Sequence, residues 1–205
     1  MKILQAAAFL FAGLLTACGA DKTAPPSAYQ PQEGDIFFQS FPHTELTDTI
    51  EGVTQSPRSH CGILRKHKEG WVIMEAIQPV CETPLADWVR RGRDGKYEVF
   101  RLKEPFREKI PGMIAAAQTY LGRPYDIRYR FDDEQIYCSE LVFKSFRDAG
   151  GGALGRVQAL GDLNWKPHAV FIRKLEGGGL PLERKMITPR AVSEAEQLEL
   201  VYSGK

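Results

Sequence analysis

The sequence lacks an excess of charge of either sign, and this excludes one class of partner. Its 205 residues contain 27 Lys and Arg against 26 Asp and Glu, so the formal net charge is +1 at pH 7. Domains that bind nucleic acid usually carry a marked basic excess, so we expect no nucleic-acid partner. Internal repeats are also lacking, and the length fits one globular domain with a hydrophobic core.

Long hydrophobic runs are scarce as well, and the one that exists stands at the N-terminus. Lys2 is followed by an almost uninterrupted apolar run over residues 3–15 and then by small residues in front of Cys18. A short basic start, an apolar run and a small-residue cleavage site are the parts of an export signal. The run is shorter than the roughly 20 residues that a membrane-spanning helix requires. We therefore predict that residues 1–17 are a removed signal peptide rather than a membrane anchor.

A cysteine at the cleavage site is typical of a bacterial lipoprotein, because its thiol accepts a diacylglycerol group before the signal is removed. We therefore predict a lipid on Cys18, where several acyl chains together give stable membrane anchoring. Residues 18–33 are rich in proline and small polar residues. This composition predicts a tether, which leaves residues 34–205 as the folded domain. Gly19, in place of an aspartate, favours the periplasmic face of the outer membrane. The sequence leaves the oligomeric state open.

Cysteine is also scarce, and its count is informative. The sequence contains four: Cys18, Cys61, Cys81 and Cys138. Once Cys18 is lipidated an odd number remains, so an oxidising compartment leaves at least one free thiol unless chains are cross-linked. A Cys61–Cys81 disulfide is one alternative and two free, buried thiols are the other, which we favour. No spacing of histidines and cysteines matches a zinc-ligand pattern, so no metal or organic cofactor is predicted.

The hydrophobic pattern predicts an α+β domain, with a mostly antiparallel sheet or half-barrel packed against helices. Alternating or short apolar runs predict strands over residues 35–39, 60–64, 71–76, 97–102, 169–172 and 198–202. Helical spacing and stop signals predict helices over residues 84–91, 105–121 and 138–149. The polar segment 40–58 contains prolines and shows no period, and we interpret it as a long loop of the kind that often carries function.

The runs at 60–64 and 71–76 have the pattern of a β-hairpin. A turn centred on His67 and Lys68 would place His60 directly opposite Glu75 on one face of the sheet. Directly opposed side chains have Cβ atoms about 5 Å apart, so a carboxylate there could hold the imidazole in one tautomer. A register shift of one residue would put the two side chains on opposite faces and remove the contact.

Cys138 stands where the last predicted helix begins. A helix N-terminus presents unpaired backbone N–H groups and a partial positive charge. Both favour a thiolate, so the pKa of a cysteine at this position is lowered. The same N–H groups can stabilise an oxyanion. With His60 nearby, Cys138 would be an activated nucleophile.

Several short motifs occur in a distinctive order between about residues 33 and 172. They are Gly34-Asp35-Ile36, Ser59-His60-Cys61-Gly62, Glu75, Leu121-Gly122-Arg123-Pro124-Tyr125-Asp126 and Tyr137-Cys138-Ser139-Glu140-Leu141-Val142. Together they resemble the circularly permuted papain-like amidases related to NlpC-type cell-wall hydrolases, in particular the YiiX/YaeF-like group. In unpermuted relatives the cysteine helix precedes the histidine strand. Here the histidine comes first, so the resemblance implies the permuted papain-like fold.

The resemblance also implies roles for individual residues. Cys138 would be the nucleophile, His60 the general base and Glu75 the residue that orients His60. Tyr137 adjoins the nucleophile and would shape the site or contribute to the oxyanion hole. Tyr125 is a further candidate for shaping the site, although fixing its own loop is the more frequent role for such a residue.

The leading hypothesis is therefore a tethered cysteine amidase or peptidase that acts on cell-envelope peptides or amides. A lipid acyl hydrolase or acyltransferase that uses the same three residues is the alternative. A wide, wet, acid-lined pocket would favour a peptide, and a deep apolar channel beside Cys138 would favour an acyl chain. A non-catalytic ligand-binding lipoprotein would instead have Cys138 buried or far from His60. A structural envelope lipoprotein would have no cleft at the start of the Cys138 helix.

Overall fold

The computed structural model describes residues 29–204. The signal peptide, the lipid on Cys18 and the first part of the tether, residues 18–28, lie outside this range and stay predictions. Within the described range, no helix is both long enough and apolar enough to cross a membrane.

A six-stranded sheet forms the centre of the domain. Its strands are β1 (Ile36–Gln39), β2 (His60–His67), β3 (Gly70–Glu75), β4 (Cys81–Pro84), β5 (Glu98–Leu102) and β8 (Leu198–Ser203). They lie in the order β4-β3-β2-β1-β5-β8, and each neighbouring pair is antiparallel. The short strands β6 (Gln158–Ala159) and β7 (Lys185–Met186) form a separate pair. The antiparallel sheet predicted from the sequence is thus confirmed.

Helices cover the sheet. They are α1 (Glu45–Thr54), α2 (Leu85–Arg91), α3 (Ile110–Gln118), α4 (Cys138–Phe146), α5 (Ala169–Glu176) and α6 (Pro189–Ser193). α3 packs on α4, and α4 packs directly against β2. The two elements that begin with His60 and Cys138 are therefore neighbours in the fold.

Alternation along β1 divides the core between the two faces of the sheet. Ile36 and Phe38 belong to the larger hydrophobic cluster, which includes Leu141 and other buried residues of α3 and α4. Phe37, between them, belongs to a second cluster with Trp88 of α2. The rings of Phe37 and Trp88 meet edge to face at 5.7 Å. Because successive side chains of a strand point to opposite faces, this one strand helps to anchor helices on both sides of the sheet.

The prediction of a long loop over residues 40–58 is wrong, because this segment contains α1. Thr44 caps the helix by accepting a hydrogen bond from Thr47 N at 3.0 Å. Leu46, Ile50 and Val53 recur at helical spacing, and they face cavities inside the domain. Three apolar residues among polar neighbours give a weak periodic signal, and flanking prolines at both ends of the segment obscured it.

The predicted strand over residues 169–172 is also wrong, because this segment belongs to α5. Val170 and Ile172 would share one face of a strand, whereas in a helix they lie about 200° apart. In the structure Val170 is 82% exposed and Ile172 is 7% exposed. The helix ends where Gly177 adopts a left-handed conformation (φ 79°) and donates its N–H to Arg173 O. The β-branched side chains of Val170 and Ile172 favour a strand in sequence, which explains the wrong prediction.

Two further boundaries differ from the prediction, and one strand was not predicted. The helix predicted over residues 105–121 is a 3₁₀ turn at Phe106–Lys109 followed by α3. The helix predicted over residues 138–149 is α4, which widens into a π turn at Arg147–Gly151. β4 was not predicted, because its four residues include Glu82 and Pro84 and are too few to show alternation.

The folded part begins before residue 34, where the prediction placed its start. Tyr29 is 8% exposed, and its hydroxyl donates to Asp35 Oδ2 at 2.7 Å. Gln32 N donates to the same oxygen at 2.9 Å. Arg101 of β5 donates to both oxygens of Asp35, at 2.7 and 2.8 Å. The buried Asp35 carboxylate thus fastens residues 29–33 to the sheet, so these residues are not part of a free tether.

Replacing Asp35 with Ala should destabilise the fold, because it leaves the Arg101 guanidinium and the Tyr29 hydroxyl without their acceptor. Loss of one partner of a buried ion pair costs about 3 kcal/mol. The free energy of unfolding, measured by urea denaturation, would report this loss. Asp48→Ala is the control, because Asp48 is an exposed partner of His43, and such surface pairs contribute about 0–1 kcal/mol. Equal effects of the two substitutions would contradict the prediction.

Candidate active site

α4 begins at Cys138, and contacts from a distant segment hold the turn before it. Tyr137 is extended (φ −104°, ψ 167°), and its hydroxyl accepts a hydrogen bond from Ile187 N at 3.0 Å. Its backbone N–H donates to Glu140 Oε2 at 3.3 Å. Cys138 is 2% exposed and lies at the positive end of the helix dipole. Tyr137 therefore shapes this end of the helix, and its hydroxyl is engaged with backbone.

His60 is the first residue of β2 and lies opposite Gln39 of β1. It is 2% exposed. The Phe41 ring stacks on the imidazole, with ring centres 4.4 Å apart and planes inclined by 24°. Trp88 lies 6.1 Å away from the same ring, centre to centre. The imidazole is thus confined between aromatic side chains, and this confinement limits its rotation.

Glu75 ends β3, and its Oε2 is 2.6 Å from His60 Nε2. The prediction that the two residues lie directly opposite each other is wrong, because the hairpin pairs His67 with Gly70. The turn is one position later than predicted, so the pairing differs by two residues and Glu75 comes level with Gly62. A shift of two residues keeps both side chains on one face of the sheet. The predicted contact between His60 and Glu75 therefore forms along a diagonal.

Gly62 provides the space for this diagonal contact. A Cβ at this position would lie 2.4 Å from Ile73 Cγ2 and 3.3 Å from Glu75 Cβ. Any larger residue would push against the backbone and side chains of β3. The glycine between His60 and Glu75 thus lets the carboxylate reach across to the imidazole.

The electrostatics favour a charged imidazole and a charged carboxylate. Burial opposes the charge on Glu75, but His60, Arg91 and Thr83 outweigh it and lower the pKa of Glu75 to about 2. Burial likewise opposes the charge on His60, but Cys138 and Glu75 raise the pKa of His60 to about 9. Glu75 is linked to His60 by a hydrogen bond, and Cys138 is linked to His60 through the pKa shift that each causes in the other.

The pKa values of Cys138 and Cys61 are shifted in opposite directions. The Cys61 thiol, and then His60, outweigh burial and hold the pKa of Cys138 well below its usual value. Burial raises the pKa of Cys61 well above its usual value. Cys61 therefore stays a thiol that can donate to a Cys138 thiolate. Sequence reasoning had treated Cys61 as a free buried thiol or as a disulfide partner of Cys81. Neighbours along a strand point to opposite faces, so its position next to His60 gave no signal that it lies in the site.

The predicted free state of the other thiols agrees with the structure. Cys61 and Cys81 are both free, with Cys61 buried and Cys81 half-buried. Within residues 29–204, no group of three or more His, Cys, Asp or Glu side chains is placed to hold a metal ion.

Tyr125 lies beside the site rather than at its centre. Its hydroxyl is 3.3 Å from that of Tyr129, and its ring lines a cavity next to His60. The neighbouring Asp126 accepts hydrogen bonds from the backbone N–H groups of Arg128 and Arg130, at 3.0 and 2.6 Å. Tyr125 thus shapes the cavity, while Asp126 fixes the loop.

Two cavities meet at α1. One, of about 210 Å³, lies beside His60. The other, of about 80 Å³, lies between α1 and α5 and reaches Ser139, the residue after Cys138. Leu46 and Ile50 line both cavities. The surroundings of the site are therefore mostly apolar, and neither cavity has a lining rich in acidic residues.

Besides Cys61, sequence reasoning missed the contacts that Phe41, Thr83 and Arg91 make with the predicted triad. Phe41 covers the imidazole, whereas Thr83 and Arg91 both donate hydrogen bonds to Glu75. No local signal separates Arg91 from Arg90, since both are basic residues near the end of a helix.

Residues 30–202 match the family model described as "Permuted papain-like amidase enzyme, YaeF/YiiX, C92 family". This chain belongs to that family. The resemblance seen in the order of its short motifs is thus confirmed, together with the permuted papain-like fold.

Two relatives are similar to this chain over most of its length. The protein YiiX of Escherichia coli (strain K12) is 35% identical over 182 residues, which are 87% of this chain and 90% of that protein. A crystal structure titled "metalloprotein yiiX from Escherichia coli O157:H7" has a TM-score of 0.80 and 34% identity, and covers 85% of this chain and 98% of that one. That title describes the relative. Among the described residues of this chain, no cluster of three or more His, Cys, Asp or Glu side chains is placed to hold a metal ion.

Replacing Glu75 with Gln should weaken the charged state of the Cys138–His60 pair. Without the carboxylate, burial should bring the pKa of His60 down from about 9. Because the imidazolium stabilises the thiolate, the pKa of Cys138 should then rise. We expect alkylation of Cys138 by iodoacetamide at about pH 6 to slow about tenfold, the equivalent of one pKa unit. Mass spectrometry of the Cys138 peptide measures the rate.

Glu82→Gln is the matched control for this substitution. Glu82 lies on the adjacent strand β4 and pairs with Arg65 at the surface, so its loss should leave the alkylation rate unchanged. Equal rates for the wild type and the Glu75→Gln variant across the acid range would show that Glu75 does not control the charge of His60.

Proposed function

We propose that this protein is a membrane-tethered cysteine amidase or peptidase of the cell envelope. Its family supports a cysteine hydrolase. In the proposal Cys138 is the nucleophile, His60 the general base and Glu75 the residue that orients His60. One observation carries the assignment: a buried carboxylate holds the imidazole at 2.6 Å, and that imidazole and the thiol at the start of α4 shift each other's pKa toward the charged forms.

The first half of the reaction forms an acyl-enzyme. The Cys138 thiolate attacks the carbonyl carbon of an amide, and a C–S bond forms as the carbonyl oxygen becomes an oxyanion. The backbone N–H groups at the start of α4 are the donors proposed to stabilise this oxyanion. Since Nε2 of His60 is bonded to Glu75, Nδ1 is the nitrogen that exchanges protons with the reacting groups. His60 protonates the leaving amine as the C–N bond breaks, and a thioester remains.

The second half releases the acid. His60, now neutral, takes a proton from water while the water oxygen attacks the thioester carbonyl. The C–S bond breaks, the carboxylic acid leaves, and Cys138 returns as a thiolate beside the His60 imidazolium. Glu75 stays ionised throughout, because its pKa is held at about 2. Its role is to hold one tautomer and stabilise the imidazolium.

The proposed location follows from the N-terminus. A lipid on Cys18 would hold the domain at a membrane, and the absence of an aspartate after it favours the periplasmic face of the outer membrane. Because the folded part begins by Tyr29, the free segment would be only about ten residues long. At about 3.5 Å per residue, a fully extended tether would then span about 35 Å. The substrates would therefore be molecules close to that membrane face.

A lipid acyl group is a second candidate substrate, and the apolar cavities favour it. Leu46 and Ile50 line both the cavity beside His60 and the cavity that reaches Ser139, and form an apolar wall of each. An acyl chain could lie along this wall while its carbonyl approached Cys138. A peptide would find few charged partners there, since the cavity beside His60 is lined by residues such as Phe41, Ala76 and Ile77.

Cys138→Ala should abolish turnover and any acyl-enzyme, because Cys61 and Cys81 lie on strands and, among residues 29–204, Cys138 alone stands at the start of a helix. The purified protein would be incubated with cell-wall peptide fragments and, separately, with palmitoyl esters, and both the products and the mass of the protein would be followed by mass spectrometry. Cys81→Ala is the control, since Cys81 is a half-buried free thiol with no proposed role. Acylation that persists in the Cys138→Ala variant would refute the assignment.

Filling the apolar wall should separate the two substrate classes. Ile50→Trp adds bulk to both cavities, so it should slow turnover of a palmitoyl ester about tenfold or more while sparing an acetyl ester, since apolar pockets discriminate by the methylenes they accommodate. Ile127→Trp is the control, because Ile127 is 46% exposed. If Ile50→Trp slows turnover of the two esters equally, the acyl-chain alternative is wrong. It is also wrong if turnover of peptide fragments depends on Cys138 while turnover of the esters does not.

A further inference from the structure

Arg91, the last residue of α2, donates hydrogen bonds to both oxygens of the Glu75 carboxylate. One nitrogen of its guanidinium group, Nη2, donates to Glu75 Oε1 at 2.6 Å and to Oε2 at 2.5 Å. Thr83 of β4 also donates to Oε1. The Glu75 side chain is 0% exposed, whereas that of Arg91 is 34% exposed. Arg91 is thus a partly exposed cation that pairs with a fully buried carboxylate.

Arg91 also contacts the ring that covers the imidazole. The guanidinium carbon lies 5.3 Å from the centre of the Phe41 ring, a distance at which a cation is attracted to the face of an aromatic ring. Phe41 in turn stacks on His60, with ring centres 4.4 Å apart. One side chain therefore contacts both neighbours that restrain His60: Glu75 at the edge of the ring and Phe41 on its face.

We propose that Arg91 is a positioning residue for the Cys138–His60 pair, which keeps Glu75 ionised and Phe41 stacked so that the imidazole holds one orientation and its charged form. This inference rests on the proposed function. Arg91 acts through Glu75 and Phe41, and the chemistry itself stays with Cys138 and His60.

The groups that face Glu75 come from several elements. His60 approaches it from β2, Arg91 from α2 and Cys81 from the opposite position on β4, and the charge of Glu75 also raises the pKa of Cys61. Cys138 on α4 faces His60. Of these groups, His60 and Arg91 supply the positive charges.

Removing the guanidinium would leave His60 as the cation that balances a fully buried carboxylate. Burial penalises a charged carboxyl group, so the pKa of Glu75 should rise. Below that raised pKa the carboxyl group is neutral, His60 loses its counter-charge, and the thiolate loses the imidazolium. The acid limb of Cys138 reactivity should therefore move to higher pH.

The test compares Arg91→Gln, Arg91→Lys and the matched control Arg90→Gln in the full chain. Arg90 precedes Arg91 on the same helix, and its 75% exposed side chain pairs with Asp87. Alkylation of Cys138 by iodoacetamide is followed by mass spectrometry across the pH range. We expect the Arg91→Gln variant to have its acid midpoint about one pH unit higher, with alkylation about tenfold slower on the acid limb. The Arg91→Lys variant retains the charge, so its midpoint should stay near that of the wild type, as should that of Arg90→Gln.

The outcomes separate this inference from the function on which it rests. If wild-type Cys138 reacts like an ordinary thiol, the proposed function fails. If wild-type Cys138 is reactive at acid pH and a folded Arg91→Gln variant has the same acid midpoint, only the role of Arg91 is overturned. Circular dichroism and thermal melting establish folding.

The lysine variant decides the matter if Arg91→Gln does not fold. An Arg91→Lys midpoint within about half a pH unit of the wild type would support the inference, and a larger shift would overturn it, since the charge is retained. The imidazole N–H resonance of His60 in proton NMR gives a second readout. It should stay sharp in the wild type and the lysine variant, and its loss from a folded lysine variant would contradict the proposal.

Discussion

The site depends on one buried hydrogen bond, between His60 Nε2 and Glu75 Oε2. A carboxylate with no exposed surface is stable in its charged form only if its oxygens are paired. Three elements meet this requirement, since β2 supplies His60, β4 supplies Thr83 and α2 supplies Arg91. The hairpin, the edge strand β4 and the helix α2 thus each contribute a contact to the Glu75 carboxylate. The orientation of the His60 imidazole therefore depends on how these three elements pack.

The fold could be predicted from the sequence to the extent that it follows local patterns. Alternation identified the hairpin, yet its register was wrong by two residues, because a period of two looks the same after such a shift. The face on which His60 and Glu75 meet was therefore correct, although their pairing was not. α1 was missed because its apolar positions, Leu46, Ile50 and Val53, stand among polar residues. α5 was misread because β-branched residues at its start resemble a strand.

The proposed site was predictable where residue type and motif order carry information, and it was not predictable where tertiary contacts decide. Cys138, His60 and Glu75 have side chains whose chemistry is distinctive and motifs that follow the order of the family. Phe41 and Arg91 are ordinary residues in sequence. Phe41 reaches His60 because it follows β1, which pairs with β2, and Arg91 reaches Glu75 only when α2 packs against the hairpin. Most of the apolar lining beside His60 was not predicted either, because it is formed by α1 and by residues after β3.

The order of elements along the chain also has a consequence for biosynthesis. The imidazole, the carboxylate and the guanidinium all lie between His60 and Arg91, whereas the thiol follows at Cys138. The turn that carries the thiol is fastened later still, by the backbone of Ile187. A chain that emerges N-terminus first therefore presents His60, Glu75 and Arg91 before Cys138. The turn before Cys138 is therefore complete only when a segment 50 residues after Tyr137 has been added.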